Sequence, residues 1–273
     1  MTTPDPHPPG ARQKKSSTFG PKLVTLRVGQ GEHTFTLPED LLCISPYFRA
    51  LLQPRRKPIS GDCAICHDDL EGDKALTFCH GPCGNNFHQE CVEEWKRHVP
   101  GGRGIQCPLC RRQLERVGRV TVPMPKVDAG AFAVYVDWLF DLPHVRVPRE
   151  QGRMLRALIR AYQLGVDFQE PEFCKDVLKF ILRDCVDANV HPGWRDISIA
   201  YEITSSDPSS PLRKFLVRIY MQLENLEKVL DEKWERYPDG FQRDLMRELA
   251  RERGRQVKHW SWELRERSVL TDL

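Results

Sequence analysis

The sequence has no long uncharged hydrophobic run, and its charges of the two signs nearly cancel. Among 273 residues, 41 are lysine or arginine and 38 are aspartate or glutamate, which gives a formal net charge of +3. A membrane-spanning helix needs about 20 consecutive apolar residues, a secretory signal needs an apolar N-terminal stretch, and a nucleic-acid-binding domain usually carries a strong excess of basic residues. We therefore expect none of these three features.

Catalytic motifs that can be recognised from their spacing are missing as well. The sequence has no glycine-rich loop of the kind that binds phosphate, no dinucleotide-binding fingerprint and no nucleophile elbow. These absences argue against a nucleotide-dependent enzyme and against a serine hydrolase. Any chemistry of this chain has to come from another set of residues.

The distinctive residues are seven cysteines and one histidine that form four closely spaced pairs between positions 63 and 110. A Cys-x-x-Cys turn presents two thiolates to one metal ion, so four pairs in series predict two tetrahedral zinc sites. The sequence between the pairs is short and polar and cannot bury a core large enough to fold alone. Zinc binding supplies the folding free energy, about 10–16 kcal/mol per site in comparable peptides. The pairs are Cys63 and Cys66, Cys79 and Cys83, His88 and Cys91, and Cys107 and Cys110.

The second pair leaves one choice open, because His80 stands directly after Cys79. Neighbouring side chains of extended backbone point to opposite sides, and a thiolate is a stronger zinc ligand than an imidazole at that corner. We therefore favour Cys83 over His80. Asn85 also has a suitable spacing, but a neutral amide is a poor zinc ligand. The expected order of ligands along the chain is four cysteines, one histidine and three cysteines.

Three cysteines remain outside the four pairs, and their number and spacing do not suggest a disulfide framework. An odd remainder of this kind is typical of proteins from a reducing compartment. We therefore expect a cytoplasmic or nuclear protein. The three are Cys43, Cys174 and Cys185.

The cysteine pairs and their apolar neighbours resemble a RING finger. The resemblance rests on Cys-x-Ile-Cys at 63–66, on Phe-His-x-x-Cys at 87–91 followed by Trp95, and on Cys-Pro-Leu-Cys-Arg at 107–111. The plant homeodomain (PHD) finger shares the same ligand order. It usually carries an aromatic residue at the position that Ile105 occupies here, so the RING interpretation is favoured.

A RING finger implies a cross-braced arrangement, in which alternate ligand pairs bind the same metal ion. Both zinc ions are then structural and fully coordinated by protein, so no hydrolytic metal chemistry is expected. The spacing around Cys83 departs from the commonest RING pattern. The implied ligand sets are Cys63, Cys66, His88 and Cys91 for one ion, and Cys79, Cys83, Cys107 and Cys110 for the other.

The resemblance also implies an activity. RING fingers act as ubiquitin ligases: they bring a ubiquitin-charged conjugating enzyme to a protein substrate and form no covalent bond with ubiquitin. They accelerate transfer by holding the thioester in a reactive geometry. Arg111 occupies the place of a cation that bridges both partners, and its planar fork suits that role. The residues implied to bind the conjugating enzyme are Ile65, Trp95, Pro108, Leu109 and Arg111.

The sequence on either side of the finger resembles a divergent, fungal-type BTB (POZ) domain. Before the finger, alternating apolar residues at 24–28 and 35–37 predict a β-hairpin, and 38–52 predicts two short helices. After the finger, 118–123 predicts a returning strand and 131–140 predicts a helix. The finger is thus expected to interrupt one domain.

These features predict an α+β protein: a BTB/POZ-like mixed domain that carries an inserted, cross-braced two-zinc finger and continues into a C-terminal helical region. Such insertion is tolerated where the two cut ends lie close together on the surface. The predicted boundaries are 1–20 for a disordered tail, 21–58 and 117–188 for the BTB-like domain, 59–116 for the RING finger, and 189–273 for the helical extension.

Downstream of residue 150, apolar residues recur at helical spacing in several segments. A glycine marks the expected end of one of them, and a proline marks the expected start of another. The expected helices are 154–165, with Gly165 as its stop, 173–181, 210–234, which starts at Ser210-Pro211, and a charged helix over 244–267 that carries Trp260 and Trp262.

The leading hypothesis is a RING-type ubiquitin ligase whose BTB-like and helical parts recruit a substrate or mediate self-association. The expected partners are a conjugating enzyme, ubiquitin, a protein substrate and a second copy of the chain. A non-enzymatic interaction adaptor and a histone-tail reader of the PHD type are the alternatives. Some BTB domains bind cullin scaffolds, but the insertion interrupts the region after the second helix and puts that binding in doubt.

Overall fold

The structure is a computed structural model that describes most of the chain. The expectations about the tail over 1–20 and about Trp260 and Trp262 concern residues outside the described part. The described residues are 22–30, 33–98, 105–114, 120–140, 153–187, 191–223, 226–227 and 234–254. We call the described residues between 59 and 114 the finger, and the rest of the described chain the host domain.

The described part of the chain combines short strands with longer helices. The strands are β1 (Leu23–Val28), β2 (His33–Pro38), β3 (Leu76–Phe78), β4 (Asn86–His88) and β5 (Val120–Met124). The helices are α1 (Glu39–Leu42), α2 (Pro46–Leu52), α3 (Gln89–His98), α4 (Ala129–Leu139), α5 (Arg153–Asp167), α6 (Pro171–Asp187), α7 (Trp194–Ile203), α8 (Pro211–Met221) and α9 (Asp239–Gly254).

Strand β1 is the centre of a three-stranded sheet in the host domain. It pairs antiparallel with β2 and parallel with β5. Its alternate residues Val24, Leu26 and Val28 are fully buried, as expected for a strand with one face on the core. The predicted hairpin is therefore present, and so is the returning strand, whose described residues are Val120–Met124. Residues 118 and 119 of that prediction lie outside the described part of the chain. Because β5 lies beside β1, the chain leaves the host domain after α2 and returns to the same sheet.

Aromatic rings from several helices form the centre of the host core. Phe48 of α2, Phe132 and Tyr135 of α4, and Phe173 of α6 have no exposed surface, and Phe168 after α5 is 2% exposed. The centroids of Phe48 and Phe168 are 5.2 Å apart and those of Tyr135 and Phe173 are 5.0 Å apart, both edge to face. This geometry suits the ring quadrupoles and holds four helices around one point.

The prediction that Gly165 ends its helix is wrong, because α5 continues to Asp167. Gly165 instead allows α6 to approach α5 closely. A Cβ atom at this position would lie 2.7 Å from the Cys174 sulfur and 2.9 Å from a ring carbon of Phe173. The glycine is therefore explained by interhelical packing and not by a cap.

The predicted helix over 210–234 is also wrong in length. Helix α8 ends at Met221, where the N–H groups of Gln222 and Leu223 donate to the carbonyls three residues earlier and tighten the last turn. Trp234 begins a separate 3₁₀ turn. The apolar stripe continues beyond the helix because Leu223 and Trp234 both pack against the host core. Helical spacing therefore did not require one continuous helix.

Helices α7 and α9 complete the C-terminal region. The sequence pattern did not predict α7, because Gly193 precedes it in place of a residue with a capping side chain. The Asp196 carboxylate accepts a hydrogen bond from the Gly193 N–H at 2.9 Å instead. Helix α9 begins at Asp239, one turn before the predicted start at 244. Among the described residues, no helix is both long and apolar enough to cross a membrane.

The packing of α4 leads to a stability prediction. Phe132→Ala should lower the free energy of unfolding of the host domain by about 3–5 kcal/mol, because it opens a cavity among buried rings. Phe140→Ala is the control: its side chain is 40% exposed at the end of the same helix, and the loss should stay below about 1 kcal/mol. Urea unfolding followed by circular dichroism in the presence of zinc measures both. Equal losses would contradict the described orientation of α4.

Candidate zinc centres

The eight predicted ligand residues lie in two groups of four in the finger. Within each group the donor atoms all lie within 4.8 Å of one another. Each group takes one pair from early in the finger and one pair from later, so alternate pairs share a centre, as the cross-braced arrangement requires. The first centre contains Cys63, Cys66, His88 and Cys91, and the second contains Cys79, Cys83, Cys107 and Cys110.

The distances in the second centre match those of a zinc site. A tetrahedral zinc ion with sulfur at about 2.3 Å separates neighbouring sulfur atoms by roughly 3.8 Å. The Sγ atoms of Cys79 and Cys110 are 3.7 Å apart, and those of Cys83 and Cys107 are 3.6 Å apart. Four sulfur donors at this spacing fit a structural zinc ion and leave no open coordination position.

In the first centre, the orientation of the His88 ring is fixed by a contact of the ring nitrogen that does not face the ligand cysteines. The Nδ1 atom of His88 lies 3.2 Å from the Cys66 sulfur and 3.8 Å from the Cys91 sulfur. Its Nε2 atom lies 3.1 Å from the carbonyl oxygen of Asp69. A carbonyl can only accept a hydrogen bond, so it places the proton on Nε2 and leaves the Nδ1 lone pair for a metal. Asp69 was not identified from the sequence, because any residue can supply a backbone carbonyl.

Two turns of the same shape carry the Cys-x-x-Cys pairs. The N–H of His67 donates to the carbonyl of Cys63 at 2.8 Å, and the N–H of Arg111 donates to the carbonyl of Cys107 at 2.9 Å. Both residues that follow the pairs have left-handed backbones, with φ of 64° for His67 and 57° for Arg111. Such values are uncommon for residues other than glycine. The turn is therefore held by the fold around the ligands.

The remaining ligands come from a small hairpin and a helix. Strands β3 and β4 pair antiparallel, so that Phe78 lies opposite Asn86, and the N–H of Cys79 donates to the carbonyl of Asn85 at 2.9 Å. His88 ends β4, and Cys91 lies in the first turn of α3. The hairpin thus presents one residue to each centre, which ties the two centres into one unit.

The structure places Cys83 in the second centre and His80 outside it. The His80 ring packs against Phe78, with ring centroids 4.1 Å apart. Its backbone N–H donates to the carbonyl of Leu114 at 2.8 Å, and its Nε2 atom lies 3.2 Å from the Lys22 amine. His80 therefore faces the host domain, and the unusual spacing between Cys79 and Cys83 still brings both sulfur atoms to one point.

The pKa values of the ligand thiols are shifted in both directions within each centre. The pKa of Cys63 and that of Cys110 are lowered to about 7, because hydrogen bonds from backbone N–H groups and from neighbouring thiols outweigh burial. Burial, together with the neighbouring sulfur atoms, raises the pKa of the Cys91 thiol to about 12 and raises the pKa of Cys79 as well. These thiols would stay protonated at neutral pH without a positive charge beside them. A divalent cation reverses that balance because it binds the thiolate directly. The donor set, its spacing and its burial all fit zinc.

The residues expected to bind a conjugating enzyme lie on the two turns and on α3. The Trp95 indole N–H donates to the carbonyl of Gln106 at 3.1 Å, which fixes α3 against the second turn. Trp95 is 36% exposed and Leu109 is 48% exposed. Ile65 occupies the same place in the first turn as Leu109 in the second, but it is half-buried against the finger core. Pro108 is half-buried in the second turn. Arg111 is exposed.

Comparison with known proteins places the finger in the RING class. Residues 61–111 match the family model of the Ring finger domain. RING-H2 finger protein ATL65 of Arabidopsis thaliana is 39% identical over 64 residues, which cover 23% of this chain and 14% of that protein. E3 ubiquitin-protein ligase EL5 of Oryza sativa subsp. japonica is 32% identical over 82 residues, which cover 30% of this chain and 22% of that protein.

These similarities cover only parts of the proteins concerned. The chain spans 57% of the length of the first matched relative, also an Arabidopsis RING-H2 finger protein, and 14–22% of the others. No solved structure matches the chain. The family-model match, which covers residues 61–111, therefore supports a RING finger over a PHD finger.

The geometry of the second centre predicts the effect of two substitutions on zinc content. The intact protein should contain two equivalents of zinc. Cys83→Ser should lose about one equivalent, because it removes one of four donors, whereas His80→Ala should keep both. Elemental analysis of the dialysed full-length proteins measures this directly. Loss of zinc from His80→Ala together with full zinc in Cys83→Ser would reverse the assignment of this ligand.

Proposed function

We propose that this protein is a RING-type ubiquitin ligase. The finger binds a ubiquitin-charged conjugating enzyme and holds its thioester so that the amine of a substrate lysine can attack the carbonyl carbon. The bond between that carbon and the sulfur then breaks, and the thiol leaves with the conjugating enzyme. The ligase forms no covalent intermediate, so its contribution is the positioning of the reacting groups.

The observation that carries this proposal is the exposed apolar surface beside two closed metal centres. Four protein donors in each centre leave no position at which a zinc ion could activate water or a substrate. Trp95 and Leu109 nevertheless expose about a third and a half of their surfaces at the second turn. Exposed aromatic and aliphatic groups on a rigid support are typical of the central contacts in protein interfaces. The match to the Ring finger domain supports the same use of this surface.

The second part of the proposal concerns Arg111 and its contact with both the conjugating enzyme and ubiquitin. Its left-handed backbone lies directly after the last ligand of the second centre, so metal binding fixes the point from which the side chain leaves the turn. The guanidinium is exposed. Its five N–H donors can bind carbonyl oxygens of two different molecules at once. We assign it the role of joining the conjugating enzyme to ubiquitin.

For the host domain we propose a BTB-like fold that serves protein–protein interaction. The support is its topology: a hairpin, two short helices, and a later strand that pairs parallel with the first, followed by packed helices. Tyr47 and Leu51 of α2 are 38% and 44% exposed, and Ile44, in the turn before this helix, is 51% exposed. The spacing of four residues places Tyr47 and Leu51 on one side of α2, where a substrate or a second copy could bind.

A non-enzymatic adaptor is the second candidate function, and the same apolar residues of α2 favour it. Both functions need a partner at the host domain, but only the ligase needs a productive contact with a charged conjugating enzyme. Discharge of ubiquitin from the conjugating enzyme to free lysine separates the two, because it requires the finger and no substrate protein.

The ligase proposal predicts which substitutions weaken discharge while zinc is retained. Leu109→Ala and Arg111→Ala should each reduce the rate about tenfold, because each removes a contact to the charged enzyme worth about 1.4 kcal/mol. Arg112→Ala is the control for a lost positive charge and should have a small effect. Single-turnover discharge by a panel of conjugating enzymes, with zinc content checked in parallel, gives the comparison. Absence of discharge with every member of the panel would favour the adaptor.

A further inference from the structure

The finger contacts the host domain through the segment that leads into it. The N–H of Lys57 donates to the carbonyl of Gly84 at 2.9 Å. Gly84 has a left-handed backbone with φ of 62°, and a Cβ atom there would lie 1.7 Å from the carbonyl oxygen of Arg55. The two backbones are therefore in direct contact, and only glycine allows it. A freely swivelling linker would not pack in this way.

A chain of hydrogen-bonded side chains runs from the host domain into the finger beside this contact. Gln53, at the end of α2, donates to the carboxylate of Glu39 at 2.9 Å. Arg56 donates from Nη1 to the side-chain oxygen Oε1 of Gln53 at 3.1 Å and from Nε to the side-chain oxygen Oδ1 of Asn86 at 2.8 Å. Glu39, Gln53 and Asn86 are 4%, 6% and 5% exposed. We call these four residues the polar bracket.

Asn86 uses both ends of its amide in the polar bracket. Its oxygen accepts from Arg56, and its nitrogen donates to the carbonyls of Lys57 at 3.0 Å and Pro58 at 3.2 Å. Loss of this side chain, which is itself 5% exposed, would leave the half-buried Arg56 guanidinium and the two carbonyls without these partners. A polar group that loses its partner where water has limited access costs more than an average hydrogen bond contributes.

Arg56 is the member that spans the boundary. Its guanidinium lies over the Phe78 ring of the finger, 5.1 Å from the centroid. Burial lowers the pKa of this guanidinium, and the charges of Asp40 and Glu39 act in the opposite direction. A cation removed from water is thus held by oxygen atoms on one side and by an aromatic face on the other. A lysine could not reproduce the two directed contacts.

We propose that the polar bracket locks the finger and the host domain into one rigid unit, and that Arg56 and Asn86 are positioning residues for ubiquitin transfer. The first part stands on the contacts alone, and the second rests on the ligase function proposed above. A locked finger points its conjugating enzyme at a fixed part of the host surface. The host lysines that can be modified, and the orientation of a bound substrate, are then set by the bracket.

The test compares three variants of the full-length protein. Asn86→Ala removes the central amide of the bracket. Arg56→Lys keeps the charge but not the two directed contacts, and it provides a second test should the first variant lose zinc. Asn85→Ala is the matched control. Asn85 is adjacent to Asn86, but its described hydrogen bond is made by its backbone carbonyl, which accepts from the N–H of Cys79 and is kept in the variant. Zinc content and discharge to free lysine should equal those of the unchanged protein in all three.

Hydrogen exchange tests the rigid contact without reference to activity. In Asn86→Ala and Arg56→Lys the amide of Lys57 should exchange about tenfold faster, as expected when a buried hydrogen-bonded contact opens locally. The amide of His67, inside the first zinc turn, should keep its rate. Exchange at Lys57 equal to that of the Asn85→Ala control, in both variants, would overturn the rigid unit.

Self-modification tests the positioning role. With a conjugating enzyme that discharges to free lysine, mass spectrometry should find a restricted set of modified lysines in the unchanged protein and in Asn85→Ala. In the two bracket variants, the share of the modification found at these lysines should fall, and the share found at other lysines should rise. An unchanged pattern despite faster exchange at Lys57 would overturn the positioning role. If no enzyme discharges at all, the ligase function fails, and the exchange result still decides whether the bracket is rigid.

Discussion

The coordination of two metal ions by alternate ligand pairs is the constraint on which the finger depends. The buried apolar side chains of the finger are few, chiefly Leu70, Phe87, Val92 and Leu114, and its centre is otherwise made of ligand cysteines. So small a core cannot offset the conformational entropy of its chain. Metal binding supplies the missing free energy, and the left-handed turns after each Cys-x-x-Cys pair exist because the ligands hold them.

The host domain is stabilised in a different way. Its core is a cluster of aromatic and aliphatic side chains gathered from the sheet and from most of the helices, so its stability comes from the burial of apolar surface. The finger interrupts this domain between α2 and β5 without entering that core. Contact between the two is made by hydrogen bonds, one close backbone approach and the packing of the Arg56 guanidinium over the Phe78 ring. Loss of zinc should therefore unfold the finger and spare the host core.

The separation into a finger stabilised by metal ions and a host domain stabilised by apolar burial suits a protein that positions other molecules. The metal centres are closed, and the exposed apolar side chains of the finger lie beside them, Leu109 on the second turn and Trp95 on α3. What such a protein can control is the relative placement of two other molecules, one on the finger and one on the host domain. The polar bracket matters for that reason, since a rigid connection transmits the placement of one partner to the other.

The ligand residues, the hairpin, the returning strand and the helix that became α4 followed from local sequence patterns, because zinc geometry and strand or helix periods act over short distances. The grouping of the ligands into two centres was implied by the resemblance to a RING finger. The ends of α5 and α8 and the roles of Arg56 and Asn86 did not follow from such patterns. Each of these depends on which distant surface lies opposite: α6 against Gly165, the host core against Leu223, and Lys57 and Pro58 against Asn86. Local sequence patterns indicate which side of a segment is apolar and which atoms can bind a metal. Which distant residues that segment contacts is decided only by the tertiary structure.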